Sequence, residues 1–246
     1  MRLALLQIND GDETYIVDTL KISNPCEAVS FLFSDSVVKV LHSCKEDIEA
    51  IYTWTNDEII NIFDTQIAFS LLNNEFSISY QALVEKDLDI YLEKKETRSN
   101  WLRRPLTDEQ LKYASLDVEY LIYIYLKQKE SLMRNSKLDW LEQDIVKLKE
   151  ETLNRSFSSD EHKRTISKRE EDELLFKFDK IVKEISLEKE ISPTLFFSKK
   201  VQKEFLRTIQ NKGFNYATNK ITSWRAELIR DKLLDLFDNS NVLVDL

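Results

Sequence analysis

The sequence predicts an α/β unit followed by a small all-α unit. Three observations predict it. Short β-branched and apolar runs alternate with helical patterns over residues 3–72, the signature of a sheet wrapped by helices. From residue 77 onward only helical periodicity follows. Residues 154–172, NRSFSSDEHKRTISKREED, then lose the apolar pattern before amphipathic helices resume, which marks a linker. The expected boundaries are 1–153 for the α/β unit, 154–172 for the linker and 173–246 for the helical unit.

In chain order, residues 3–8 (LALLQI) form a short apolar run that reads as a buried strand. Asn9-Asp10-Gly11-Asp12 is a hairpin turn, and residues 14–17 are the returning strand. Asn24-Pro25 breaks the chain before a helix over 26–33. Residues 37–41 (VVKVL) make a buried strand, and Ser43 with Glu46 has the spacing of a capping box for a helix running to Trp54. A strand over 59–63 and a helix over 65–72 come next. Thr107 and Gln110 cap a helix expected to continue to about Met133, followed by one over 138–153. Beyond the linker, three or four short helices are expected, with Ser192-Pro193 opening one and Ser223 the last.

Of the 246 residues, 42% are apolar, enough for a packed core. The formal net charge of −9 argues against a protein that holds nucleic acid by bulk positive charge. It leaves room for carboxylates that bind divalent cations beside a local basic rim. The two cysteines, Cys26 and Cys44, have no framework spacing, so a reducing, cytoplasmic setting is expected. No run is long and apolar enough to span a bilayer, and the N-terminus lacks the pattern of a signal peptide.

The most informative stretch is 111–125, LKYASLDVEYLIYIY. Tyr113 and Asp117 are four residues apart, so they share one helix face. A phenol and a carboxylate there can converge on one water or metal; equally, they can be a core aromatic and a surface acid. Upstream, Asp47 follows the strand VVKVL, at the sheet edge where open α/β sheets build sites. It can also be only a first-turn acid favoured by the helix dipole. His42 ends the same strand and reads as a hydrogen-bonded wall residue bordering bound nucleic acid rather than a metal ligand. Asp64 reads as a helix cap. Arg103 and Arg104, between tryptophan and proline, suit a phosphate backbone.

The order LALLQI, VLHSCKEDIEAI, INIFDTQIAFSLL, TRSNWLRRPLTDEQLKYASLDVEYLIYIY resembles the ribonuclease D family. Those are 3′–5′ exonucleases of the DEDD group, tyrosine subtype, on a ribonuclease H-like fold. ISPTLFFSKK and ITSWRAELIRDKLLDLF more weakly resemble the helicase-and-RNase-D C-terminal (HRDC) domain. The resemblance implies two-metal hydrolysis of phosphodiesters at RNA 3′ ends, transfer RNA precursors among them, with Mg²⁺ or Mn²⁺ as cofactor. It implies Asp47 and Asp117 as metal ligands and Tyr113 as the residue that positions the attacking water. The family's first motif, an aspartate and a glutamate two residues apart, lies upstream of the strand matched by LALLQI. The sequence shows no residues there. Asp10, Asp12 and Glu13 lie in the turn at the strand's far end and are poor substitutes, and Asp18 reads as structural. The resemblance therefore implies a sheet lacking its first strand, a site short of two carboxylates, and weak or absent turnover by the chain as written. The alternatives are an RNA-binding module that does not cut and an interaction protein; oligomeric state is left open.

Overall fold

The computed structural model describes residues 3–92, 99–153 and 167–238. Strands β1 (Leu6–Asn9) and β2 (Thr14–Val17) pair antiparallel, from Leu6 opposite Val17 to Asn9 opposite Thr14. Their turn is the expected one. Gly11 adopts φ 101°, which favours glycine, and the Asp10 carboxylate accepts from the Asp12 and Glu13 amides at 3.0 and 2.8 Å. After a turn of 3₁₀ helix, the expected helix over 26–33 is two pieces, α1 (Pro25–Ala28) and a 3₁₀ turn (Ser30–Phe33). Val29 between them has φ −124° and ψ 32°, outside helical space.

Strand β3 (Lys39–Leu41) pairs parallel with β4 (Ile62–Asp64), with α2 (Lys45–Thr55) as the crossover. Helices α3 (Thr65–Leu72) and α4 (Tyr80–Leu88) follow. Among the described residues the sheet is thus two separate two-stranded pieces. The expected helix from 107 to about 133 is interrupted: α5 (Asp108–Glu119) and α6 (Leu121–Arg134) meet at Tyr120. The cause is tertiary, because the Tyr120 amide donates to the Tyr80 hydroxyl at 3.1 Å. Helix α5 lies on β1 and β2, α6 on α3 and β3, and α7 (Leu138–Leu153) on α2 and β4.

Helix α8 (Lys168–Lys189) begins inside the expected linker. Ser167 and Glu170 form a reciprocal capping box that sets this start. Residues 168–172 are therefore helical, and 154–166 lie outside the described residues. Helices α9 (Pro193–Phe197), α10 (Lys199–Lys212), α11 (Phe214–Thr218) and α12 (Ser223–Asp238) complete the helical unit. Its core is continuous with that of the α/β unit: Leu71, Leu141 and Ile145 belong to the same cluster as Phe178, Phe196 and Trp224.

Polar fasteners reinforce the junction. Asp144 of α7, 7% exposed, receives Arg225 through both guanidinium ends and the Trp224 indole N–H at 3.0 Å. The Trp140 and Trp224 rings stack at 4.7 Å and 8°. Buried Lys137 donates to the carbonyls of Leu71, Lys189 and Glu190, tying both units at one ammonium.

Candidate active site

Helix α5 carries two of the expected site residues. Its start is fixed by Thr107 Oγ1 accepting from the Gln110 amide at 3.2 Å, with the Gln110 side chain returning the bond at 3.0 Å. Ala114 is buried, which turns Tyr113 and Asp117 to the half-buried edge. Burial lifts the Asp117 carboxyl to about 6. Burial, then the Asp117 charge, also raises the Tyr113 phenol, which therefore keeps its proton at neutral pH. The Trp101 ring lies 6.1 Å from that of Tyr113.

Asp47 sits in the first turn of α2. Its outer edge meets solvent, but the surrounding protein is dense enough that burial, then the Asp64 and Glu46 charges, raise its carboxyl to about 6. Ser43 does not cap this helix: no side-chain bond is made, and Ser43 itself turns at φ 64°. The turn is held from another strand. Asp64, 1% exposed, accepts from the Ser43 and Cys44 amides at 3.3 and 2.6 Å. It also caps α3 through the Gln66 and Ile67 amides at 2.7 and 3.0 Å. Four backbone donors thus converge on one buried carboxylate. Burial pushes the Cys44 thiol up, so it stays a packing group.

His42 is pinned on both nitrogens, Nδ1 to the Thr65 hydroxyl at 2.9 Å and Nε2 to the Ile78 carbonyl at 3.0 Å. Nε2 must carry the proton to meet a carbonyl. Burial lowers the imidazole's basicity. Its ring lies 5.9 Å from that of Tyr80, whose phenol burial also pushes up, with the Asp117 charge contributing. Both ring nitrogens of His42 are used within the fold, which leaves neither for nucleic acid.

Arg104 requires a correction. All five of its N–H donors are used within the fold: Nε and one Nη2 proton on Asp18 at 2.8 and 2.6 Å, the others on the carbonyls of Ala4, Trp101 and Arg103. A guanidinium so committed has no donor for phosphate. It fastens the WLRRPL segment to the strand region instead. Asp18 is structural, as expected, and Arg103 is the exposed member of the pair.

The structure thus brings together Tyr113 with Asp117, Asp47 with Asp64, and His42 with Tyr80. The two raised carboxyls answer to different neighbours, and no group of three or more metal-ligating side chains occurs among the described residues. Neither has an ion-pair partner among the described residues. Carboxylate oxygens that reach solvent and have no protein cation beside them suit a hard divalent ion. Local sequence gave no sign of Tyr80 or of Asp64's hold on the Ser43 turn. Only the capping role of Asp64 had a local signal.

A parallel strand pair joined through a helix, with further helices packed on it and on the antiparallel hairpin, defines an α/β fold. The family model for 3′–5′ exonuclease domains matches residues 1–132, and the chain belongs to that family. It is 39% identical over 144 residues to a ribonuclease D of Pseudomonas paraeruginosa, covering 58% of this chain and 38% of that protein. The chain thus spans about two-fifths of the length of that relative. Its fold is similar to Escherichia coli RNase D, with a TM-score of 0.59, 20% identity, and coverage of 98% of this chain and 65% of the other. It is also similar to Brucella melitensis NrnC with bound Mg²⁺, with a TM-score of 0.55, 21% identity, and coverage of 66% and 83%. Among the described residues no helix is long and apolar enough to cross a membrane.

Proposed function

We propose that the chain hydrolyses RNA from the 3′ end, one nucleotide at a time, as a ribonuclease D-type exoribonuclease acting on transfer RNA precursors or similar structured RNA in a reducing cytoplasm. The observation that carries this reading is the Tyr113–Asp117 pair, with its raised, uncompensated carboxyl, inside the segment matched by the exonuclease family. Asp47 and Asp117 are the residues that would hold Mg²⁺ or Mn²⁺. A divalent ion there supplies Lewis-acid polarisation of the scissile phosphodiester. Tyr113, protonated at neutral pH, holds the attacking water by a hydrogen bond through its phenol oxygen. Asp64 holds the turn from which Asp47 projects, and His42 packs its ring 5.9 Å from that of Tyr80. Arg103 is placed to meet phosphate.

With two carboxylates among the described residues, turnover is expected to be slow. That same observation supports a second reading, in which the chain binds RNA without cutting it. The test is a 5′-labelled single-stranded RNA incubated with Mn²⁺. Stepwise shortening that stops with EDTA and is absent in Asp117→Ala supports hydrolysis. Intact RNA that still binds selects the second reading, and shortening unchanged by Asp117→Ala overturns the residue assignment.

A further inference from the structure

Tyr80 opens α4 and is 7% exposed. Its hydroxyl accepts the Tyr120 amide at 3.1 Å, at the joint between α5 and α6. Its ring lies 5.9 Å from that of His42, tilted by 59°. His42 is held in turn on the hydroxyl of Thr65. The neighbouring Asp64 carboxylate holds the Ser43–Cys44 turn at the start of α2. One phenol thus meets the end of the helix that bears Asp117. Through His42 and Thr65 it is linked to the turn before the helix that bears Asp47.

In an unbroken α-helix the Tyr120 amide would donate to the Leu116 carbonyl, four residues back. Here it is shared between the Tyr80 hydroxyl and the Val118 carbonyl, and Tyr120 takes φ −104° and ψ 1°, outside helical space. The joint falls three residues after Asp117, within one turn, so the direction of that carboxylate follows the joint. Helix α5 lies on β1 and β2, whereas α6 lies on α3 and β3. The joint lets each helix follow its own support. Packing does not require the hydroxyl, because a phenylalanine would fill the same space against Leu83, Val84 and Leu121. Burying a hydroxyl costs free energy unless it is bonded, and the Tyr120 amide supplies that bond. Burial is the main cause that raises the Tyr80 phenol, and Asp117 heads the charges that add to it, so the carboxylate lies within electrostatic reach.

We propose that Tyr80 is a positioning residue for the two carboxylates: its hydroxyl holds the α5–α6 joint and with it the direction of Asp117, while its ring ties that joint to the turn before Asp47. This role rests on the reading of Asp47 and Asp117 as metal ligands given above. Tyr80 touches neither metal nor RNA in it and acts through the Tyr120 amide and the His42 ring.

The experiment is electron paramagnetic resonance of Mn²⁺ titrated into the full chain, comparing wild type, Tyr80→Phe and Val84→Ala. Tyr80→Phe removes only the hydroxyl and keeps the ring on His42. It is expected to weaken Mn²⁺ binding about 10- to 100-fold, the range for a residue that orients a ligand from behind. Val84→Ala loosens the same buried face of α4 and keeps the hydroxyl. It is expected to lower the thermal transition while Mn²⁺ affinity stays within about twofold of wild type. Each titration is run well below the transition of its variant, and circular dichroism verifies folding. A hydroxyl with a structural role alone gives a different result: Tyr80→Phe lowers the transition and leaves affinity unchanged, which overturns the positioning role. Equal weakening in both variants overturns it too, as does a Tyr80→Phe chain that fails to fold, since the hydroxyl then holds the fold at large. If wild type binds Mn²⁺ and Tyr80→Phe binds it equally well, only this role falls; if wild type binds no Mn²⁺, the metal-site reading falls and this role with it.

Discussion

Asp47 and Asp117 share one electrostatic signature: each carboxyl is raised to about 6, chiefly by burial. The sign of the consequence is definite. An acid raised above its unfolded value binds more protons in the folded state between about pH 4 and pH 6. The metal-free fold therefore loses stability as pH rises through that window, and cation binding restores it. Those protons must leave before a divalent ion binds. Mn²⁺ affinity, followed by titration calorimetry, is thus predicted to climb between about pH 5 and pH 7 and then level off. An affinity flat across that range would remove both carboxylates from the site. Tyr113 makes a separate prediction: Tyr113→Phe keeps the ring beside Trp101 and loses only the hydroxyl. Turnover should fall about 100-fold or more, with RNA affinity within about twofold. The pair was legible from its spacing of four, because helix geometry is local. Arg104 was misread because sequence shows a basic residue but not its five bonds, which reach back to Ala4 and Asp18 across the chain.

At the scale of elements, the site depends on supports that lie far from it in sequence. Arg104 and Asp18 join the segment before α5 to the chain after β2, and the Arg104 bond depresses the Asp18 carboxyl to about 2. That contribution is present above about pH 4 and is lost as pH falls toward 2. Thermal melts should show Arg104→Ala lowering the transition clearly, with Arg103→Ala close to wild type; equal effects would return both arginines to the surface. Asp64 is the corresponding support for α2. The sequence carried its capping signal for α3 but could not show that two amides of the Ser43 turn bind the same carboxylate. The same reasoning explains the break at Tyr120: the pattern from 107 to 133 is continuous, and a hydroxyl forty residues away interrupts it. Long periodic helices and the hairpin were legible because their causes are local. The separation of the sheet into two pieces and the early start of α8 depend on pairing and capping geometry visible only in three dimensions.

At the scale of the whole molecule, the helical unit is locked to the exonuclease unit rather than tethered to it. Asp144, Arg225 and the stacked tryptophans form the lock, and Asp144→Ala should cost about 3–5 kcal/mol by leaving the Arg225 charge without its partner in a largely buried place. Chemical denaturation checks this, and a loss below about 1 kcal/mol would mean that the junction is a surface contact. The cleft of about 760 Å³ beside that junction is lined from both units, Ser43 and Asp64 on one side and Phe196 and Phe205 on the other. In the proposed function Asp47 and Asp117 together hold the divalent metal. The direct measurement is electron paramagnetic resonance of Mn²⁺ titrated into the full chain at neutral pH. Saturable binding is expected that weakens in Asp47→Ala and in Asp117→Ala by more than the about 10–100-fold seen when a merely supporting residue is changed. Mn²⁺ binding of unchanged affinity in the Asp47→Ala, Asp117→Ala double variant would contradict it.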